Sequence, residues 1–282
     1  MSLRLSLNHM LAAAAIITGS TAMGQESPYF VTYDHHMEEP HHLEIAIQPV
    51  AGAPKEGNRF VGTATEFEFA PQAWWTTELY LDWQSTAREG SLYTGYRIEN
   101  RFRLLMNEHA INPVLYIEYA NTTGADKTLR EIVGFDSWRD LAEPNSDTRL
   151  EREREIETKL ILSGNRNGWN AVGNVIAEKN LAGEPWEFGY AFGVSRPLAL
   201  AASPYRCSFC RENFTAGLEA YGGLGEQHAR TLAGTAHYIA PCLSWAMPSG
   251  LTLKVSPSFG VTANSNRFLM RFGVSYEIPL TR

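Results

Sequence analysis

Apolar and polar residues alternate with a period of two through most of the chain. In 73–84 (AWWTTELYLDWQ), Trp75, Thr77, Leu79, Leu81 and Trp83 share one face, and Thr76, Glu78, Tyr80, Asp82 and Gln84 share the other. A helix would mix these two sets, whereas an extended strand separates them. At 60–70, Val61, Thr63, Thr65, Phe67 and Phe69 oppose Gly62, Ala64, Glu66 and Glu68. At 92–105, Tyr96, Ile98, Phe102 and Leu104 oppose Arg97, Glu99, Arg101 and Arg103, with Asn100 out of place on the apolar face. Later, Ile156, Leu160 and Leu162 oppose Glu155, Glu157 and Lys159. Trp186, Phe188, Tyr190, Phe192 and Val194 alternate with Glu187, Gly189, Ala191, Gly193 and Ser195. The last segment sets Phe268, Met270, Phe272, Val274, Tyr276 and Ile278 against Arg267, Arg271, Ser275 and Glu277. Less regular candidates at 42–50, 112–120, 168–179, 212–222, 235–245 and 250–261 bring the total to about twelve strands, the even number usual for single-chain bacterial barrels.

This pattern predicts an all-β fold, a transmembrane antiparallel up-and-down β-barrel over 42–278. A soluble sandwich also alternates. Here, however, Trp74, Trp75, Trp83, Trp186 and Tyr276 sit near segment ends as interfacial girdles do, and the polar faces carry charges of both signs, as a polar lumen would. The connections alternate as well. With both termini in the periplasm, 70–72, 164–168 and 247–250 become short periplasmic turns, and the longest insertion, 121–151, faces outward. The stretch 196–211 is long yet assigned to the periplasm, so either an extra strand pair lies there or that turn is elaborated. Pro241 and Pro257 fall inside candidate strands and predict bulges or bends.

The start of the chain places it in a compartment. Arg4, the apolar run 10–17 and small residues up to Ala22 and Gly24 read as a secretory signal over 1–24, cleaved before Gln25. Residues 25–41 then form a periplasmic lead-in and 279–282 a short tail. No Cys stands directly after the cleavage site, and no later run is long and apolar enough for a helical span. The formal charge of −7, one unit more negative without the signal, argues against nucleic acid, whose phosphates need a basic face. Lipid and lipopolysaccharide are the expected contacts of the outer surface.

Candidate chemistry centres on the charged inner face. Its residues are Glu66, Glu68, Glu78, Asp82, Arg97, Glu99, Arg101, Arg103, Glu118, Glu155, Glu157, Lys159, Glu178, Glu187 and Glu219. They line either a conduit that biases which small solutes pass or an internal salt-bridge network that plugs a narrow barrel. Passive or weakly selective passage is the favoured expectation, with a non-conducting structural, adhesive or lipid-contacting barrel as the alternative. Neither requires a cofactor.

The run Asp34-His35-His36-Met37-Glu38-Glu39-Pro40-His41-His42 has metal-ligand residue types, but adjacent histidines in an extended chain point to opposite sides. A solvated lead-in is expected there, with no metal. Cys207 and Cys210 (CSFC) suit a local disulfide in an exported chain. Leu129, Ile132, Val133, Trp138 and Leu141 have roughly helical spacing, so a short amphipathic helix is expected in the long insertion, as a constriction, a lid or a surface loop. Arg152 and Arg154 face outward near the outer rim, where lipopolysaccharide phosphates or ordinary surface ion pairs would meet them. An enzyme is not expected. His237 and Ser244 fall on opposite faces of one strand, and no G-x-S-x-G elbow is present.

The C-terminal Arg271-Phe272-Gly273-Val274-Ser275-Tyr276-Glu277-Ile278 resembles the signal by which barrel-assembly machinery takes up the last strand of outer-membrane barrels. Ile278 replaces the usual aromatic and four residues follow it. Trp186-Glu187-Phe188-Gly189-Tyr190, Ala240-Pro241-Cys242-Leu243-Ser244-Trp245 and Ser256-Pro257-Ser258-Phe259-Gly260-Val261, together with that last strand, resemble a family of outer-membrane transporters associated with phenol-degradation (MetA) pathways. The likeness is best over about 155–278 and implies fold and compartment more than substrate.

Overall fold

The computed structural model describes residues 27–128, 132–201, 203, 205 and 207–280; the signal region 1–24 and Leu129 lie outside the described residues. The twelve segments marked by alternation are twelve long strands. They are β1 (His42–Gly52), β2 (Phe60–Gln72), β3 (Trp75–Thr86), β4 (Gly90–Arg103), β5 (Asn112–Thr123), β6 (Arg152–Arg166), β7 (Trp169–Asn180) and β8 (Trp186–Pro197). β9 (Phe214–Glu226) follows, extended by the two-residue β10 (Ala229–Arg230), then β11 (His237–Ala246), β12 (Leu251–Gly260) and β13 (Phe268–Pro279). Each long strand pairs antiparallel with its neighbour, and β13 pairs with β1, Ile45 opposite Tyr276, so the sheet closes on itself. Closure leaves no unpaired strand edge, which is what a sheet needs in hydrocarbon.

Outward positions carry Ile47, Leu79, Ile98, Leu115, Leu160, Val175, Phe192, Leu218, Leu243, Phe272 and Val274, all exposed. Inward positions are buried and mostly polar, the reverse of a soluble protein and the arrangement of a membrane barrel. Asn100, the misfit on the apolar face, accepts a hydrogen bond from the Trp75 indole through Oδ1 at 2.9 Å, which satisfies it at the membrane surface.

The two strand prolines produce no bulge of their own. Between Ile239–Phe259 and Leu243–Val255 the β11–β12 register is unchanged, but the intervening positions are unpaired, and by that register Pro241 faces Pro257. The two missing N–H donors therefore coincide at one gap instead of shifting the ladder twice. Bulges occur elsewhere, between Asp82 and Trp83 on the β3–β4 ladder and between Phe188 and Gly189 on the β8–β9 ladder.

The β8–β9 connection contains no strand pair among its described residues; it is an elaborated turn with Cys207 and Cys210 joined as a disulfide and a 3₁₀ turn at Arg211–Asn213. The long β5–β6 connection lacks the expected amphipathic helix over its described residues. Its only regular pieces there are a 3₁₀ turn, Asp140–Ala142, and one helical turn, Asn145–Thr148. Ile132, Val133, Trp138 and Leu141 are buried because the loop folds into the barrel, not because a helix packs on it, and Phe135 and Leu150 stay exposed.

Candidate functional site: a barrel filled from both ends

Every residue expected on the inner face sits at an inward position, and among the described contacts acids and bases meet there in clusters of two to four. Arg97 bonds Asp82 (Nε to Oδ2, 2.9 Å), reaches Glu118 at 3.5 Å and lies 4.5 Å over the Tyr80 ring. Arg101 sits among Glu68, Glu78 and Glu99. Lys159 contacts Glu157 at 2.8 Å and lies 3.8 Å from the Tyr116 ring centroid. Buried this deeply, the charges hold one another, and an uncompensated member would be costly.

The lead-in is not a solvated periplasmic arm. Tyr29, Phe30, Val31, Thr32, Asp34 and His35 are buried, because the segment enters the lumen, turns near 30–32 and returns to the rim before β1. At the turn, the backbone N–H groups of Phe30, Val31 and Thr32 donate to the Glu219 carboxylate of β9 at 3.2, 2.9 and 2.8 Å. Three successive amides aimed at one anion form a nest. Asn174 of β7 then makes a reciprocal pair with Tyr33, accepting from its N–H at 2.7 Å and donating to its carbonyl at 2.8 Å. Tyr29 Oη donates to Asn170 Oδ1 (3.0 Å), and His35 N donates to Ser163 Oγ (2.9 Å). The Tyr33 ring lies under Lys159 (4.3 Å) and Arg101 (5.6 Å). Apart from contacts within itself, the segment is held largely by wall side chains.

Three histidines of the 34–42 run face carboxylates. Burial pushes the His35 imidazole below its ordinary value; its Nδ1 meets Ser163 Oγ and its Nε2 lies 3.1 Å from Glu108. His36, 3.0 Å from Asp34, is raised chiefly by that carboxylate. His42, where β1 begins, contacts Glu277 across the β1–β13 closure. The Ser163–His35–Glu108 chain has the order of a catalytic triad. However, Ser163 Oγ also accepts the His35 amide and is only 3 % exposed, so it is a fastening rather than an open nucleophile. His237 contacts Tyr190, Thr235 and Leu232, whereas Ser244 is buried on the other face of β11.

Two groups among the described residues bring three ligand atoms close enough for one cation. They are Glu38, His42 and Glu277 at the rim, and Glu66, Glu68 and Glu78 on the wall. In the second, Arg101 already meets Glu68 and Glu78, and Gln48 meets Glu66, so protein donors occupy the place a metal would take.

From the opposite end the 124–143 loop enters the lumen. Gly134 N donates to Phe188 O (3.1 Å) and Gly134 O accepts from Gly225 N (3.2 Å), so the loop adds a short backbone pairing to the wall. This approach needs glycine on the strands. A Cβ at Gly189 would sit 2.6 Å from Ile132 O, and one at Gly223 would collide with Gly134 O. Ile132, Val133 and Leu141 of the loop join Phe30 and Val31 of the lead-in in one buried apolar cluster with Val50, Tyr221, Tyr238 and Leu269. The two inserts thus share a core in the middle of the barrel.

Cavities remain on either side of it. The one at the loop end has about 530 Å³ and is lined by Asp126, Asp136, Glu155, Glu178 and Glu187 with Arg97. Arg152, expected to face outward near the outer rim, also borders this cavity at its mouth. Asp126, bonded by Thr94 and Thr128 hydroxyls, is pushed by burial up to about 6. At the terminal end two cavities of about 400 and 320 Å³ are lined by the lead-in and the strand ends around it.

Charge and alternation mark Glu219 but not the other lead-in anchors, because Asn170, Asn174 and Ser163 are uncharged. The signal present in the sequence is the run Tyr29-Phe30-Val31-Thr32-Tyr33, too apolar for a solvated arm.

Among solved structures, the fold is similar to an outer membrane channel from Pseudomonas putida F1 (TM-score 0.50, 9% identity, 87% of this chain and 98% of that one). Weaker likenesses are to KdgM porin (0.49, 8%, 83% and 98%) and to the translocator domain of the autotransporter NalP from Neisseria meningitidis (0.45, 12%, 86% and 89%). No family model and no curated protein matches the chain. At such identities the likeness speaks to fold alone. The outward apolar band and the closed ladder make the chain a twelve-stranded membrane β-barrel, the fold of that outer-membrane channel.

Proposed function

We propose that this barrel gives small solutes a passage across the outer membrane and that the filled state is its closed one. The observation that carries the reading is the way the lead-in is held. It is fixed in the lumen non-covalently, by side chains of Glu219, Asn174, Asn170 and Ser163, with cavities left on both sides of the shared core. Withdrawing it toward the terminal end would require no wall strand to unpair. The acidic lining of the loop-end cavity favours cationic solutes at that entrance. The transporter family that the later strands resemble, and the channel from Pseudomonas putida F1, agree with this reading.

A second reading, a non-conducting barrel, draws on the same filled centre, since the apolar cluster of both inserts occupies the middle. Single-channel current separates them. The refolded mature protein is expected to be nearly silent, and a variant lacking residues 28–36 to give discrete steps that favour cations. A shortened barrel that is folded, as shown by heat-modifiable migration, yet silent would remove the passage reading and leave a structural barrel.

A further inference from the structure

The β8–β9 turn has two parts: Ala199 and Leu200 border the terminal-end cavity beside the lead-in, whereas the disulfide-clipped part lies on the outside of the wall. Ser208 O accepts a hydrogen bond from the indole of Trp245 (2.6 Å), and the Phe209 ring lies 4.5 Å from that indole, which in turn stacks on Phe214 at 5.5 Å. Trp245 and Phe214 occupy outward positions at the terminal ends of β11 and β9. The turn is therefore folded over the outside of the rim. Asn213 Nδ2 donates to the carbonyls of Cys207 (2.6 Å) and Ser208 (3.1 Å), which fastens the Cys207–Cys210 loop from below. Held this way, the turn exposes Phe209 (76 %), with Tyr205 (80 %) four residues earlier in the same turn. Arg196, outward on β8 and 5.3 Å from the Trp169 ring, and the exposed Arg211 add cations to the same rim.

We infer that this turn is a membrane foot that seats Phe209 and Tyr205 in the headgroup and glycerol region of the periplasmic leaflet, where Arg196 and Arg211 meet phospholipid phosphates. The occupant follows from continuity: the patch runs without a break from Phe209 through Trp245 and Phe214 into the lipid-facing band. Aromatic rings with a polar edge partition to that depth, and arginine pairs with phosphate there. A water-facing turn would gain nothing from rings exposed to this extent.

The test places a reporter in the loop. The mature Phe209→Trp variant is refolded into phosphatidylethanolamine–phosphatidylglycerol vesicles, with heat-modifiable migration as the check on folding. The added emission is expected to be blue-shifted, shielded from aqueous iodide and quenched more by phospholipids brominated near the glycerol than by those brominated near the chain ends. Exchanging both cysteines (Cys207→Ser with Cys210→Ser) in that background should remove most of the bromolipid quenching. Tyr205→Trp serves if Phe209→Trp does not fold. Emission open to iodide and untouched by bromolipid would overturn the inference and leave the patch to a periplasmic protein. Quenching unchanged without the cysteines would overturn the role of the clip.

Discussion

The two inserts that fill this barrel are held by opposite means. The lead-in is bound through wall side chains, with Glu219 collecting three amides and Asn174 matching one peptide unit. The 124–143 loop is bound where side chains are missing, its backbone lying on Gly189 and Gly223 and pairing with Gly225. A side-chain anchor can be released by a change in one group and leaves the wall intact. A glycine seam permits contact but does not grip, so what holds the loop is the apolar cluster it completes. The lead-in is thus the part suited to move, and the loop the part suited to stay.

Four measurements bear on this contrast, the largest effect first. Glu219→Ala leaves three buried amides without their acceptor, and unmet buried donors cost about 1–3 kcal/mol each. Docking of the lead-in should weaken by at least one such cost, read as faster amide exchange over 28–36 with exchange of 132–141 nearly unchanged. Equal acceleration in both would show the inserts to be one unit. Gly223→Val drives a side chain into Gly134 O, and overpacking of this kind costs about 1–3 kcal/mol. Here the expected outcome is protease sensitivity of the 124–143 loop, without release of the lead-in. Asn174→Leu removes the pair to Tyr33 at about 1–2 kcal/mol, less than for fully buried groups because this amide and carbonyl are only part-buried, and should raise the frequency of brief current openings.

The smallest effect is on pH. Asp126 has its folded pKa raised to about 6 from an ordinary 3.8, so the folded loop binds a proton more tightly than the released one. Its contribution is therefore fully present below the ordinary value and is lost as pH rises through about 6. Loop protection should be greater at acid pH, and Asp126→Asn should flatten that dependence while the nearby Asp82 and Arg97 stay in place. A loop that loosens in acid in the wild type would contradict this sign.

The wall is legible in sequence because period-two alternation is a local signal that each strand carries alone. Even the misfit Asn100 marks a real contact, with Trp75. The inserts are not legible, since their partners are far away in the chain. Nothing near Tyr33 announces Asn174, and the helical spacing of Ile132, Val133, Trp138 and Leu141 arises here from burial against a curved wall, not from a helix. Pro241 and Pro257 can be recognised as strand residues but not as opposing ones, because opposition depends on register. Parity alone groups the charged residues on one face. Their pairing into networks around Arg97, Arg101 and Lys159 depends on neighbouring strands, so parity does not choose between conduit and plug.

The Glu219 nest also imposes an order on biogenesis. Val31 and its acceptor are separated by 188 positions, and Asn174 lies 141 positions beyond Tyr33. Contacts so distant along a chain form late, after the intervening segments have found theirs. The residues of the lead-in must therefore wait, unseated, while the wall that receives them is built. A newly closed barrel passes through an interval in which its centre is less occupied than at any later time, so a lesion confined to Glu219 would prolong a stage of maturation as well as weaken its end point.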